Sequence, residues 1–310
     1  MSDTTPALLE VEDLRVSFPT RDGGLFEAVR GVSFSLGRER LGIVGESGSG
    51  KSQTGRAILG LTAPEARITA KRLAFKGQDL LGATPAQRRA MRGGSIAMVL
   101  QDPKYSLNPV MKIGEQIRES LQAHQRGLSS SEARQRVLQA LADVAIDDPA
   151  RVYKLYPHEV SGGMGQRAMI AMMLIAEPQL LIADEPTSAL DVTVQLQVLG
   201  ILDKLVKSDR PLGLRDAQAV PRGEPGGLGR PGAARGGMGL IFISHDLRLV
   251  ASFCDRVLVM YAGKVVEEVR ATELQAARHP YTQGLLNCLP RLGASRHPLP
   301  TLNRQEEWKL

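Results

Sequence analysis

The sequence predicts an α/β fold in which a parallel-sheet core carries a helical insertion. Residues 8–44 read as β-strands, and short apolar strands then alternate with helical stretches further along the chain. A long helical segment, residues 113–146, interrupts that alternation. This order of elements is typical of a parallel sheet with packed helices.

Short apolar runs bounded by turn residues predict the strands. Leu9, Val11, Leu14 and Val16 largely alternate with polar residues, which is the pattern of a half-buried strand. The later runs are mainly apolar, and all of them except 28–36 are uninterrupted by polar residues, as in buried strands of a parallel sheet. They cover residues 28–36, 41–44, 96–100, 180–183, 240–243 and 257–260.

Apolar residues at helical spacing predict four helical stretches. These stretches are residues 51–61, 113–146, 161–176 and 192–206. Ser129, followed three residues later by Glu132, predicts a helix start within the second stretch. On or near the apolar face of the fourth stretch we expect Val194, Leu196, Val198, Leu199, Leu202 and Leu205.

Composition excludes several classes of protein. The chain has 310 residues, 43% of them hydrophobic, which suits a globular protein with a sizeable core. The longest uninterrupted apolar run, 168–176, is much shorter than the roughly 20 residues of a spanning helix. Residues 1–13 are acidic and lack an apolar stretch, so we expect no signal peptide. The chain has only two cysteines, Cys254 and Cys288, so we do not expect a disulfide framework. We expect a reducing, cytoplasmic compartment.

The net charge of +6 raises the question of a nucleic-acid partner, but its distribution argues against one. The segment 207–239 carries +3 and residues 290–310 carry +2, so the rest is nearly neutral. Aromatic residues are only 4% of the chain, which leaves few platforms for base stacking. We therefore expect no nucleic-acid partner.

A glycine-rich loop between a predicted strand and a predicted helix carries the strongest motif. Gly45–Ser52 matches G-x-x-x-x-G-K-[ST], in which backbone N–H groups and a helix N-terminus surround phosphates. In this pattern the lysine binds β- and γ-phosphate oxygens and the serine ligates Mg²⁺. The sequence thus predicts an ATP–Mg²⁺ site, with Lys51 also counted as catalytic and Ser52 as a metal ligand. Its nucleotide-binding residues are Gly45, Glu46, Ser47, Gly48, Ser49, Gly50, Lys51, Ser52 and Gln53.

Two acidic residues follow the apolar run Leu180–Ala183. Ligands of open α/β sheets bind at the carboxyl ends of such strands. We expect Asp184 to hold Mg²⁺ and Glu185 to polarise the attacking water. The alternative interpretation is that the two acids cap the next helix.

With these motifs in place, the chain resembles the ATP-binding cassette family. The loop beginning Ser161, Gly162, Gly163 is similar to the family's signature loop. The resemblance implies that this loop binds ATP held by a second cassette, in a head-to-tail dimer. It also implies a P-loop NTPase of the ABC ATPase type, with a mixed-sheet RecA-like core, an antiparallel β subdomain and an inserted helical subdomain.

Four further residues match the family's motifs in chain order. Gln101 resembles the glutamine that reaches the metal and the water, so it is predicted to be both catalytic and a metal ligand. Asp191 belongs to a segment similar to the loop that crosses the dimer interface. His245 resembles the catalytic histidine that contacts the γ-phosphate. Phe18 is the candidate for stacking on adenine, with Phe26 as a rival, and either could be a core residue.

Other segments are similar to ATPases of the dipeptide/oligopeptide importer family, in the type that usually pairs with a second, different ATPase. They include Tyr156–Glu159, Met260–Gly263 and Arg278–Thr282. The resemblance implies a peripheral protein at the cytoplasmic face of the membrane that drives peptide uptake. Its implied partners are a second ATPase subunit, two integral membrane permease subunits and, indirectly, a solute-binding protein. A nickel or other small-solute importer of the same branch and a non-transport ABC ATPase remain alternatives.

The resemblance predicts three regions and leaves one segment unexplained. The ATP-binding domain is predicted at 1–289, its helical subdomain at about 102–178, and an importer-type extension at 278–310. Residues 207–239 contain nine Gly and four Pro, which is linker composition. Relatives have a short turn there, so the segment is either a passive insertion or an out-of-frame translation of GC-rich DNA.

Overall fold

The computed structural model describes residues 7–101, 106–125, 127–188, 190–207 and 237–289. Most of the unexplained segment, the side chain of Leu205 and the end of the predicted extension, 290–310, lie outside the described residues. The strands are Leu9–Pro19 (β1), Leu25–Leu36 (β2), Arg40–Val44 (β3), Arg67–Thr69 (β4), Arg72–Phe75 (β5), Gln78–Asp79 (β6), Ile96–Val99 (β7), Leu180–Asp184 (β8), Gly239–Ser244 (β9), Arg256–Tyr261 (β10) and Lys264–Arg270 (β11).

The helices are Lys51–Leu59 (α1), Pro85–Met91 (α2), Ile113–His124 (α3), Ser130–Asp143 (α4), Pro149–Lys154 (α5), Gly162–Leu174 (α6), Val192–Lys207 (α7), Leu247–Phe253 (α8) and Pro280–Cys288 (α9). Short 3₁₀ helices span Pro157–Glu159 and Ala271–Ala276. No described helix combines the length and the apolar character that crossing a membrane requires.

The chain divides into two compact units. The first unit comprises Met1–Arg92, Ile182–Glu185 and Gly239–Leu310. The second comprises Gly93–Leu181 and Pro186–Met238. The predicted helical subdomain, 102–178, falls within the second unit, and its bounds stay a prediction.

Two sheets shape the first unit. An antiparallel sheet has the order β2-β1-β5-β6, with β4 also paired to β1. In the other sheet β3 runs parallel to both β9 and β10, and β11 closes one edge antiparallel to β10. The first-unit part of β8 continues this sheet beside β9. The predicted combination of a mixed sheet and an antiparallel β subdomain is confirmed.

The core of the mixed sheet is apolar and tightly packed. Leu41 and Ile43 of β3 and Phe242 of β9 have no exposed surface. Each such side chain stabilises the fold by about 1.5–3 kcal/mol. Helix α8 packs so closely on β3 that a Cβ at Gly42 would lie 2.2 Å from Cγ1 of Val250. This packing holds the strand that leads into the glycine-rich loop.

The second unit is largely helical. Ile113, Ile117 and Leu121 have no exposed surface, as their helical spacing predicts. Ser129 and Glu132 form a reciprocal capping box at the start of α4, so the predicted helix start is confirmed. Strand β7 lies here next to the first residues of β8, where the Leu180 N–H donates to the Ser95 carbonyl at 3.2 Å.

Some sequence expectations differ from the structure. The stretch 113–146 is two helices, α3 and α4, separated near Gly127, whose φ of +92° suits glycine. Leu196, expected on or near the apolar face of α7, is 64% exposed, whereas Val198 and Leu202 are fully buried. Three elements were not predicted. Strand β11 has no fully buried residue and therefore lacks the apolar run that marks the other late strands, and helices α5 and α8 have only six and seven residues, too few to show a clear periodicity.

Candidate functional site

The glycine-rich loop joins β3 to α1 in the first unit. Gly50 caps α1 with φ +97°, and a Cβ there would lie 2.4 Å from the Ala28 carbonyl oxygen. Only glycine fits this position, because both the conformation and the contact exclude a side chain. Since Gly50 has no side chain to cap the helix, the first-turn N–H groups are available to an anion.

Lys51 lies inside the loop and is only 5% exposed. Its Nζ donates to the Gly45 and Glu46 carbonyl oxygens, at 2.8 Å each. Burial lowers the pKa of Lys51, while the nearby carboxylates of Glu185 and Asp184 oppose that shift. A buried ammonium with neutral hydrogen-bond partners is well suited to bind an anionic phosphate.

Ser52 and Asp184 converge on one point from different parts of the chain. The Ser52 Oγ donates to Asp184 Oδ1 at 2.8 Å, and Asp184 is 3% exposed. Burial raises the pKa of Asp184, against the lowering effect of the Ser52 hydrogen bond. Beside them, Gln53 Oε1 is buried and has no hydrogen-bond partner among the described residues.

These oxygens fit Mg²⁺. Hard oxygen donors are its preferred ligands, and one or two protein side chains together with substrate phosphates usually hold it. In the described ranges no group of three or more His, Cys, Asp or Glu residues could hold a metal by itself. A site that needs phosphate oxygens to complete it agrees with both observations.

Glu185 follows Asp184 with an uncommon backbone conformation. Its φ is +47°, a region that non-glycine residues rarely adopt, and its N–H donates to the Ile243 carbonyl at 2.9 Å. Its Oε1 lies 3.1 Å from Nδ1 of His245, whose side chain is 58% exposed. Strain of this kind is concentrated at functional sites, and here it accompanies a carboxylate–imidazole pair at the end of the sheet.

Gln101, Ser161, Gly162, Gly163 and Asp191 lie in the second unit. Gln101 is exposed just after β7. Ser161 caps α6, its Oγ accepting the Met164 N–H at 3.3 Å, and Gly162 is exposed beside it. Asp191 caps α7 by accepting the Val194 N–H at 3.0 Å. Their roles toward nucleotide stay predictions.

Gly163 of the signature-like loop packs against α7 in the same unit. A Cβ at Gly163 would lie 2.9 Å from Cγ1 of Val194, whereas a Cβ at Gly162 would have no atom within 4 Å. The two adjacent glycines therefore have different structural requirements. A side chain at position 163 would displace Val194, whereas one at position 162 would not meet a neighbouring atom.

Phe18 and Phe26 face each other across the β1–β2 pair. Phe18 is half-buried, and Phe26 is 59% exposed. Stacking of Phe18 on adenine stays a prediction, with Phe26 as its rival.

The sequence did not reveal two supports of the glycine-rich loop. The Gly263 N–H, in the β10–β11 turn, donates to the Ser49 carbonyl at 3.1 Å. The Glu46 N–H donates to the Tyr281 hydroxyl of α9 at 3.1 Å. Both residues belong to segments with a family resemblance, but no local pattern links either of them to the loop.

A strand, a glycine-rich loop around a buried lysine, a helix, and an acidic pair at a neighbouring strand end define a P-loop nucleotide-binding protein. The family model described as ABC transporter matches residues 29–188. Because this is more than half of the chain, the protein belongs to the ABC transporter family.

Relatives of known identity match almost the whole chain. The oligopeptide transport ATP-binding protein OppD of Salmonella typhimurium is 43% identical over 297 residues, covering 95% of this chain and 80% of that protein. The dipeptide transport ATP-binding protein DppD of Escherichia coli is 43% identical over 298 residues, covering 96% and 82%. The chain is an ATPase subunit of this family, and ATP is its nucleotide.

Solved structures agree on the fold. The ATP-binding cassette MJ0796, in a dimeric post-hydrolysis state bound to ADP and Pi, has a TM-score of 0.69 at 23% identity. The match covers 85% of this chain and 98% of the MJ0796 chain. The cbiO1 protein of Clostridium perfringens, part of the cbiONQ complex, has a TM-score of 0.66 at 25% identity, covering 87% and 91%. The predicted ABC ATPase fold is confirmed.

Proposed function

We propose that this chain is the ATP-hydrolysing subunit of an importer of peptides of the dipeptide/oligopeptide class. The observation that carries the proposal is the group formed by Lys51, Ser52, Asp184, Glu185 and His245 in one compact unit. The supporting observation is the 43% identity, over 95% of the chain, to an oligopeptide transport ATP-binding protein.

In this proposal the loop binds the ATP phosphates. The N–H groups at the start of α1 and the Lys51 ammonium stabilise the negative charge on the β- and γ-phosphates. Ser52 and Asp184 hold Mg²⁺, and Gln101 reaches the same ion. Bound Mg²⁺ would neutralise charge on the phosphate oxygens. Phe18 stacks on the adenine.

Glu185 activates the water that attacks the γ-phosphorus. Its carboxylate accepts a hydrogen bond from that water, and the His245 ring, 3.1 Å from Glu185 Oε1, helps to hold the carboxylate in place. His245 also contacts the γ-phosphate. Catalysis by these residues consists of positioning and electrostatic stabilisation, with no covalent intermediate on the protein.

The second unit supplies contacts to other subunits. Ser161, Gly162 and Gly163 bind the ATP of a partner ATPase subunit, while Asp191 crosses the same interface. The helical subdomain, about 102–178, docks on two integral membrane permease subunits at the cytoplasmic face of the membrane. Closure of the dimer on ATP drives uptake of a peptide delivered by a solute-binding protein.

The direct test is Glu185→Gln in the full chain, purified with its permease subunits. We expect ATP hydrolysis to fall by about 100-fold or more, since general acid–base groups contribute that much. ATP binding persists, so the closed ATP-bound complex accumulates. The exposed carboxylate Glu65 of the same unit offers the matched control, Glu65→Gln, which keeps wild-type turnover. Hydrolysis by Glu185→Gln at the wild-type rate would overturn the catalytic assignment.

Transport is tested separately in proteoliposomes. We expect ATP-dependent uptake of labelled di- and oligopeptides that unlabelled peptides inhibit and Ni²⁺ does not. Uptake of Ni²⁺ instead would favour the nickel importer of the same branch. Purification without any integral membrane subunit would favour a non-transport ATPase.

A further inference from the structure

Helix α9 reaches the glycine-rich loop through one buried side chain. Tyr281, in the first turn of α9, has no exposed surface, and its ring lies 4.5 Å from the ring of Tyr261 between centroids. Its hydroxyl accepts the Glu46 N–H at 3.1 Å across a separation of 235 positions. A buried tyrosine whose hydroxyl contacts a loop backbone fixes that backbone in direction as well as in place.

The peptide that Tyr281 contacts is the one that Lys51 contacts from the other side. The Gly45–Glu46 peptide unit presents its carbonyl to the Lys51 Nζ at 2.8 Å and its N–H to Tyr281. A Cβ at Gly45 would lie 2.1 Å from the Met260 carbonyl oxygen, so this peptide has little room to move toward β10. Loss of the Tyr281 hydroxyl would leave the Glu46 N–H without that acceptor, and the plane of the Gly45–Glu46 peptide could then rotate.

Hydrogen bonds to β11 fix the start of α9 in place. The Glu267 carboxylate accepts the N–H groups of Arg278 and His279, at 2.6 and 3.3 Å. His279 then caps the helix by accepting the Tyr281 N–H at 3.2 Å. A continuous set of contacts therefore runs from β11 through the start of α9 to the phosphate-binding loop.

We propose that Tyr281 is a positioning residue of the ATP site, which orients the Gly45–Glu46 peptide so that Lys51 and the loop are ready for phosphate. The proposal rests on ATP binding by this loop, and it makes the start of α9 part of the nucleotide site. Tyr281 touches no reacting atom. It acts through the loop backbone, and its effect appears in how readily ATP binds.

The test is Tyr281→Phe in the full chain, because the ring and its contact with Tyr261 are kept. We expect the KM for Mg·ATP to rise about five-fold, since losing one hydrogen bond to a buried N–H lowers the population of the binding-competent loop by a factor of that size. The kcat stays within about two-fold of wild type, because saturating ATP restores the loop.

Tyr153→Phe is the matched control. Tyr153 is also buried, at 6% exposure, and its hydroxyl donates to Glu115 Oε1 at 2.8 Å in the second unit. We expect this variant to lower the melting temperature without changing the KM for ATP. A purely structural role for Tyr281 predicts the same result for Tyr281→Phe, and that result would overturn the proposal.

A double-mutant cycle with Glu267→Ala adds a second readout. If both residues act through one set of contacts, the two single variants each raise the KM and the double variant raises it by less than the product. Multiplicative effects would overturn the inference. If the wild-type chain neither binds nor hydrolyses ATP, the proposed function fails. If the wild-type chain is active and the Tyr281 and Glu267 variants have the same KM as wild type, only this inference fails.

Discussion

The two glycines of the signature-like loop offer a test that separates folding from function within one turn of helix. We expect Gly162→Ala to leave the fold intact, because a Cβ there has no atom within 4 Å. Alanine has the higher helix propensity, so the free energy of unfolding rises by up to about 1 kcal/mol. Gly163→Ala places its Cβ 2.9 Å from Cγ1 of Val194, so the neighbour must shift by about half an ångström or more.

Overpacking of this kind costs about 1–3 kcal/mol, and the helix-propensity gain offsets part of it. We therefore expect Gly163→Ala to be about 1 kcal/mol less stable than wild type, and the added substitution Val194→Ala to restore that loss by removing the two methyl groups. Urea unfolding of the full chain measures all of these values.

The effect on ATPase turnover is predicted for Gly162, where the fold leaves room for a side chain. If the loop binds the ATP of a partner subunit, the methyl group of Gly162→Ala obstructs that approach and ATPase turnover falls while stability does not. Full turnover by Gly162→Ala would refute the role of this loop in trans. A loss of stability in Gly162→Ala would contradict the open space beside this residue.

Two further predictions follow from described contacts. A Cβ at Gly237 would lie 1.7 Å from the Val206 carbonyl oxygen, so the described residues on either side of the 29-residue stretch 208–236 lie close together. Replacing that stretch with four residues lowers the loop-closure entropy cost and stabilises the chain by about 1–2 kcal/mol, which calorimetry measures. If the shortened chain transports as well as wild type, the stretch is a passive insertion; if it transports better, the stretch impairs the protein, as an out-of-frame translation would. A shortened chain that does not fold would contradict the prediction. Separately, the Tyr153 hydroxyl and Arg118 hold the pKa of Glu115 below its ordinary value, against burial. The stability that this carboxylate supplies is therefore present at neutral pH and lost as the pH falls through the lowered pKa. Tyr153→Phe should lower the free energy of unfolding by about 1–2 kcal/mol at neutral pH and by clearly less at an acidic pH below the lowered pKa of Glu115, and an equal loss at both pH values would contradict this assignment.

Local sequence patterns predicted the elements that carry the chemistry. The glycine-rich loop, the acidic pair after β8 and the capping box at Ser129 each place their side chains relative to their own backbone, over a few residues. Such patterns are reliable because glycine, an N-cap serine or a run of apolar residues restricts the local conformation directly. The structure places Ser52 and Asp184 together, 132 positions apart, as those two motifs implied.

Contacts between elements could not be predicted in the same way. Leu196 fits the apolar spacing of α7 and is nevertheless exposed, because spacing shows which residues share a face but not whether a neighbour covers that face. The unequal space beside Gly162 and Gly163 likewise depends on Val194, which another helix supplies.

The sequence by itself determined the family, the P-loop and the residues expected to bind phosphate and metal, because each depends on residue types at fixed short spacing. Only the tertiary structure showed that the Tyr281 hydroxyl accepts the Glu46 N–H, that Gly163 packs on Val194, and that Val206 and Gly237, on either side of the stretch 208–236, lie close together. These contacts join segments far apart in the chain, and they depend on the packing of whole strands and helices, which no local pattern encodes.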